Sequence, residues 1–135
     1  MAMNPYVLEI KPNEIDENWV LDDFVSSYFG TAKDVCEISS SQRERINNWV
    51  FECLKENHPD KHSQLMEDML YTAIAFPVTI KDIKKFRQLM GKNWRRSELY
   101  SNREEYYDSY IIDLKFYLKV RLALRAGKTV VIQWL

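Results

Sequence analysis

Hydrophobic residues recur along most of the 135-residue chain at the three- and four-residue spacing of an α-helix, whereas two short segments carry the β-branched and aromatic residues typical of strands. The spacing predicts five helices. Their expected first residues are Asn13, Ser41, Asp60 or Ser63, Thr79 and Ser101. The strand segments are residues 6–10 and 130–134. Because an isolated strand leaves its backbone groups unpaired, we expect these two segments to pair with each other.

The longest predicted helix begins at a capping box, Ser101 to Glu104, whose serine and glutamate side chains can satisfy free backbone N–H groups. Residues 105–125 contain no glycine or proline, and Gly127 can adopt positive φ at the helix end. Apolar residues occupy two sides of this helix. One side carries Ile111, Leu114, Leu118 and Leu122, and the other carries Ile112, Phe116, Val120 and Ala123. We therefore expect neighbouring elements to cover both sides.

These patterns predict a mainly α fold in a single domain, residues 1–135. About five helices are expected around the long, central C-terminal helix, with a small two-stranded sheet formed by the N- and C-terminal strands. Residues 31–40 are expected to form a loop, and Phe76 with Pro77 is expected to end the third helix. A further capping box is predicted from Ser41 to Glu44.

The overall charge is nearly balanced but is unevenly distributed along the chain. The formal net charge of −1 excludes nucleic-acid binding driven by total charge alone. Residues 1–40 carry eight acidic and two basic residues, whereas residues 81–96 carry seven basic residues and one acidic residue. Such segments can pair within the fold or serve a partner. With neither a signal peptide nor a membrane-spanning stretch, we expect a cytoplasmic protein whose Cys36 and Cys53 are free thiols.

One stripe of the last helix combines tyrosines with charged residues, and two interpretations of it are open. It can be a buried polar network that joins this helix to the first or the fourth helix, because a buried carboxylate needs partners. It can instead be a contact surface, since tyrosine and arginine are enriched at binding hot spots. On the second interpretation, acids of the first helix complete the surface. The candidate partner-binding residues are Glu14, Glu17, Asp22, Asp23, Tyr106, Tyr110, Asp113 and Tyr117, with Arg121 at the end of the stripe.

The segment His58-Pro59-Asp60 lies between two predicted helices and resembles the loop signature of J-domain co-chaperones. The resemblance implies a co-chaperone that stimulates the ATPase of a heat-shock chaperone. A strongly basic helix precedes the loop in that family, whereas the charges of residues 43–56 cancel here. Pro59 and Asp60 also suit the first turn of an ordinary helix, which gives the motif a purely structural explanation.

The sequence contains some, but not all, of the features expected of a zinc site and of a nucleic-acid-binding site. The candidate zinc ligands are Cys36, Cys53, His58 and His62. The two cysteines are 17 residues apart instead of the usual two to four, so we expect no metal and no cofactor. The basic segment 81–96 includes Phe86 and Trp94 and could bind nucleic acid, but Phe86 falls on the predicted core side of its helix.

The sequence has no glycine-rich phosphate loop and no nucleophile motif, which favours a binding protein over an enzyme. The chain, and residues 121–135 in particular, resembles bacterial immunity proteins of contact-dependent growth-inhibition systems. The resemblance implies a short cytosolic protein that binds and neutralises a cognate toxin domain, often a nuclease. An acidic, aromatic surface would suit the basic substrate face of a nuclease. These families share no universal motif, so the resemblance assigns no residue a role.

Overall fold

The computed structural model describes residues 4–10, 33–71, 75–92 and 103–134, with the backbone alone for residues 91, 92 and 103–106. The described strands are β1 (Pro5–Ile10), β2 (Lys33–Cys36), β3 (Ala75–Pro77) and β4 (Thr129–Trp134). The described helices are α1 (Arg43–Asn57), α2 (His62–Tyr71), α3 (Ile80–Lys92) and α4 (Arg103–Arg125), and a 3-10 turn at Ser40–Gln42 leads into α1.

The strands form one antiparallel sheet in the order β2-β1-β4-β3. Strands β1 and β4 pair along their whole length, from Pro5 opposite Trp134 to Ile10 opposite Thr129. The predicted pairing of the two terminal segments is therefore confirmed. These two strands occupy the centre of the sheet, and the short strands β2 and β3 form its described edges.

The predicted fold class is wrong, because the described residues form a mixed α/β structure with a four-stranded sheet instead of a mainly α fold with two strands. Strand β2 lies in the segment that was expected to be a loop, and β3 lies where a helix end was expected. Both are short, at four and three residues, and their strand conformation depends on pairing with β1 and β4. The first predicted helix, residues 13–30, lies outside the described residues.

The core is built around Trp49 of α1, which is fully buried. Phe76, Phe86 and Phe116 surround its indole ring, at centroid distances of 6.1, 5.2 and 5.9 Å and nearly perpendicular to it. The indole Nε1 donates a hydrogen bond of 2.8 Å to the backbone carbonyl oxygen of Asp82. Edge-to-face aromatic contacts and this hydrogen bond therefore connect α1 with β3, α3 and α4.

Both faces of the two central strands are buried. Val7 and Ile132 face each other across β1 and β4 and join the hydrophobic cluster of the helices. Leu8 and Val131 alternate with them and so point to the opposite face, yet they are only 1% and 0% exposed. Because both faces of β4 are buried, its sequence is nearly continuously apolar instead of alternating between apolar and polar residues.

Local sequence signals set the helix ends. The capping box before α1 involves Ser39, whose backbone N–H donates to Gln42 Oε1 at 3.0 Å, so the predicted box at Ser41 begins two residues too late. At α3, Thr79 and Asp82 exchange side-chain and backbone hydrogen bonds of 2.9 and 3.2 Å. Gly127 has φ of +78°, as predicted for the residue that ends α4.

Helix α4 is covered on one of its two apolar sides, not on both as predicted. Phe116 and Val120 are buried against the core. On the other side, Ile111, Leu118 and Leu122 are exposed to 53%, 48% and 71%. The helix therefore lies at the surface of the described structure and is not enclosed at its centre.

Candidate partner-binding surfaces

Asp113 of α4 is the hub of a buried polar network, in agreement with the first of the two interpretations of the tyrosine stripe. Arg45 Nε donates to Asp113 Oδ2 at 2.7 Å, and Arg45 Nη2 donates to Asp113 Oδ1 at 2.9 Å. Gln42 Nε2 adds a third bond to Oδ1 at 3.0 Å. All three residues are less than 5% exposed. The carboxylate is thus satisfied inside the protein and cannot contact a partner as it stands.

The hydrogen bonds of Asp113 join α4 to the beginning of α1, a connection that was not predicted. The expected link from the tyrosine stripe to the fourth predicted helix, which is α3, is made by Arg87 and Tyr110. Gln42 and Arg45 were not among the predicted site residues. Their sequence signal is their spacing: residues 42, 45, 46 and 49 share one helical face, and Ile46 and Trp49 are fully buried. A polar residue on such a face has to find a buried partner.

The two tyrosines of the predicted surface whose side chains are described, Tyr110 and Tyr117, are half-buried and engaged within the protein. Tyr110 is half-buried, and its hydroxyl accepts a hydrogen bond of 3.0 Å from Arg87 Nη2 of α3. Tyr117 is also half-buried, with the Arg121 guanidinium 5.9 Å from its ring centroid. Tyr106 belongs to α4, but its side chain lies outside the described residues. The acids Glu14, Glu17, Asp22 and Asp23 lie outside the described residues as well. Asp113 itself is buried and unavailable to a partner, and the contact role of the other residues stays a prediction.

A cleft of about 490 Å³ opens between the beginning of β1, strand β2 and the first residue of α1. Its lining includes Tyr6, Asp34, Cys36, Glu37, Ile38 and Arg43. Asp34 and Glu37 are exposed, and neither forms an ion pair with a described residue. Tyr6 presents an aromatic ring that is 38% exposed. We call this cleft the acidic cleft, because its lining contains two carboxylates and one positively charged side chain, that of Arg43.

Cys36 lines the acidic cleft but is poorly suited to nucleophilic chemistry. Burial raises the pKa of its thiol to about 11, although the charge of Lys119 acts in the opposite direction. The thiolate is the reactive form, so this side chain is almost entirely protonated and weakly nucleophilic at neutral pH. Cys53, in the core, also has a raised pKa because of burial. Neither thiol is therefore a good candidate for a catalytic nucleophile.

A second exposed feature is the outer side of α4. Ile111, Leu114, Leu118 and Leu122 follow one another at spacings of three, four and four residues, so their side chains form one stripe along the helix. We call this the leucine stripe. Leu114 is half-buried and packs against the core, whereas the other three are about half exposed or more. On one flank lie Asp108, Lys115 and Lys119, which are exposed.

The His-Pro-Asp segment connects α1 and α2, as predicted. His62 Nδ1 lies 2.8 Å from the carbonyl oxygen of Pro59, and the His62 ring packs edge-on against Phe51 at 5.2 Å. His62 is thus engaged in the local turn, and Cys53 lies in the core. The four candidate zinc ligands do not come together, and no cluster of three metal-binding side chains occurs in the described part of the chain.

The basic segment is partly neutralised within the fold. Lys81 Nζ and Lys85 Nζ lie 3.3 and 3.4 Å from the carboxylate oxygens of Glu56 on α1, and these lysines hold the pKa of Glu56 below its usual value. Arg87 is engaged with Tyr110, and Phe86 is fully buried. Residues 93–96 lie outside the described part. The described portion of the segment therefore offers few unpaired cations to a phosphate backbone.

Comparison with protein-family models, with curated proteins and with solved structures gives no match for this chain. Among the helices that the structure describes, none combines the length and the apolar character needed to cross a membrane.

Proposed function

We propose that this protein is a cytoplasmic immunity protein that binds a cognate toxin domain and blocks it by occlusion, with the acidic cleft as its contact surface. The observation that carries the proposal is the pair of exposed carboxylates, Asp34 and Glu37, which form no ion pair with a described residue. The partly exposed ring of Tyr6 lines the same cleft. An acidic cleft with an aromatic wall is complementary to a basic substrate-binding face, such as that of a nuclease.

The charges and the ring have different expected roles. Unpaired carboxylates at the mouth of a cleft attract a basic partner over several ångströms and raise the association rate, an effect that salt weakens. A tyrosine buried on complex formation contributes to the lifetime of the complex. Burial raises the pKa of the Cys36 thiol and makes it a weak nucleophile, and occlusion requires no chemical step from it.

The proposal is tested with the gene that lies next to this one. If it encodes a large secreted protein, the C-terminal domain of that protein is expressed in a bacterial host with and without the present chain. We expect the domain to arrest growth and co-expression of this chain to restore it. The purified pair should bind with nanomolar affinity or tighter, the range of specific complexes with an interface of standard size.

Charge reversal locates the contact surface. The double variant Asp34→Lys, Glu37→Lys should lower the association rate about tenfold or more at low salt and remove most of its salt dependence. The control is Glu67→Lys, which reverses an exposed acid on α2, outside the cleft. Equal rates for the double variant and the control would exclude the acidic cleft as the contact surface. Failure of the wild-type chain to bind or protect would reject the immunity function itself.

A further inference from the structure

The leucine stripe brings three exposed large hydrophobic side chains together on one helix, and its charged surroundings indicate what covers it. Leu122 is 71% exposed, and Ile111 and Leu118 are about half exposed. At about 100° per residue, the stripe stays within a sector of roughly 80° over three turns. It points away from the core side of α4, where Phe116 and Val120 are buried. Such a seam has the form of one half of a helix pair.

Charges are sorted along α4 from one end to the other. Acidic residues predominate in the first turns, with Glu104, Glu105 and Asp108 against Arg103, whereas the turns after Asp113 carry only basic charges, Lys115, Lys119, Arg121 and Arg125. Asp108, Lys115 and Lys119 are exposed on the same flank of the stripe, and none of them forms an ion pair with a described residue. A partner helix that matches this surface needs an apolar stripe with basic residues near the start of α4 and acidic residues near its end.

The chain itself supplies such a helix when a second copy of α4 runs antiparallel to the first. If Ile111 of one copy lies opposite Leu118 of the other, Leu122 lies opposite Tyr107, and the two-fold axis falls between Leu114 and Lys115. In this register Asp108 of one copy comes beside Lys119 of the other. In a parallel pair, each acidic end would instead face another acidic end, which is unfavourable.

We propose that the leucine stripe is the interface of an antiparallel homodimer in which two α4 helices pack against each other. The proposal does not rest on the toxin-binding function, because none of the four stripe residues lines the acidic cleft, although Lys115 and Lys119 on the flank border its residues Cys36 and Glu37. A single helix pair buries less surface than a standard interface of about 1,600 Å². We therefore expect a dissociation constant on the order of micromolar, about 1 to 100 µM.

The interface is tested by analytical ultracentrifugation of the full chain from about 1 to 300 µM, a range set by the expected affinity. We expect a reversible monomer–dimer equilibrium for the wild type. Leu122→Glu should abolish it while leaving the circular dichroism spectrum unchanged, because this side chain is 71% exposed. The control is Tyr71→Glu, which alters a 62% exposed side chain on α2. A wild type that remains monomeric throughout, or a dimer that tolerates Leu122→Glu, would overturn the proposal.

The orientation is tested by exchanging charges. Lys119→Glu and Asp108→Lys should each weaken the dimer about threefold to tenfold, because each creates like-charge contacts twice in a symmetric pair. Combined in one chain, the two changes should restore the wild-type affinity if residue 108 of one copy lies beside residue 119 of the other. A combined variant that is no stronger than the single variants would rule out the antiparallel arrangement.

Discussion

Arg45 and Asp113 form a bidentate ion pair across 68 residues of sequence, with Nε–Oδ2 and Nη2–Oδ1 distances of 2.7 and 2.9 Å. Their side chains are 5% and 2% exposed. Gln42 donates to the same carboxylate, and the carbonyl oxygen of Ser41 accepts a bond of 2.7 Å from Arg45 Nη1. The pair therefore fixes the position of α4 relative to the beginning of α1, and nearly every polar atom in it has a partner.

Replacing Asp113 by Asn should destabilise the protein strongly. The substitution preserves the shape of the side chain but leaves the Arg45 guanidinium buried without its counter-charge. We expect the free energy of unfolding to fall by about 3 kcal/mol or more. Urea denaturation followed by tryptophan fluorescence measures the change. Asp108→Asn, on the exposed face of the same helix, is the control and should cost less than about 0.5 kcal/mol. Similar curves for the two variants would contradict a structural role for the pair.

Substitutions of Trp134 test how much β4 contributes to the stability of the fold. Its side chain is fully buried, and its Nε1 donates to Asn47 Oδ1 on α1 at 2.8 Å. Trp134→Ala should lower the free energy of unfolding by about 3 to 5 kcal/mol, since it removes a large buried side chain and opens a cavity. Trp134→Phe retains most of the packing and loses the hydrogen bond, so its cost should be clearly smaller. An alanine variant that melts at the wild-type temperature would show that β4 does not stabilise the fold.

Substitutions at Gly127 measure how backbone conformation alone affects stability, without a contribution from side-chain packing. Its φ is +78°, and a Cβ atom placed there would meet nothing within 4 Å. Gly127→Ala should therefore cost about 1 to 2 kcal/mol through conformational strain alone. Gly127→Asn should cost less, because asparagine tolerates the left-handed region better than alanine. Thermal melts of the three proteins test this order, and equal stabilities would contradict it.

Cys36 provides a prediction about pH. Burial disfavours the thiolate and so raises the pKa of Cys36 to about 11. At pH 8 the native thiol should react with iodoacetamide about two-hundredfold more slowly than a free cysteine, whose pKa is about 8.5, and the rate should rise as the pH approaches 11. Peptide mapping by mass spectrometry distinguishes Cys36 from Cys53. The protein unfolded in urea is the reference, and equal rates in the native and unfolded states would refute the raised pKa.

The sequence patterns predicted the elements whose signals are local. The apolar face of α1, which includes Ile46 and Trp49, and the positive φ of Gly127 follow from residues within a few positions of one another. The pairing of β1 with β4 was also predictable, because both segments are rich in β-branched or aromatic residues and each needed a partner. Strands β2 and β3 were missed because four and three residues carry too little pattern, and long-range pairing determines their conformation.

The candidate site was harder to predict for a physical reason. A buried carboxylate and an exposed carboxylate look the same in a sequence, and the partner of Asp113 lies 68 residues away. The same holds for Leu118 and Leu122, which helical periodicity assigns to a covered side although the structure leaves them exposed. Burial is decided by which elements meet in three dimensions, so the acidic cleft and the leucine stripe became visible only in the structure.

The central position of β4 also has a consequence for synthesis on the ribosome. Its neighbours in the sheet are β1 and β3, and 51 residues, 78–128, lie between the end of β3 at Pro77 and the beginning of β4 at Thr129. At typical translation rates the ribosome needs about 3 to 10 seconds to cross that distance. During this interval the nascent chain holds β1, β2 and β3, but β3 cannot join the sheet because its described partner is β4. The sheet can therefore be completed only after β4 has been synthesised, and until then β1 lacks the strand that pairs with it along its whole length.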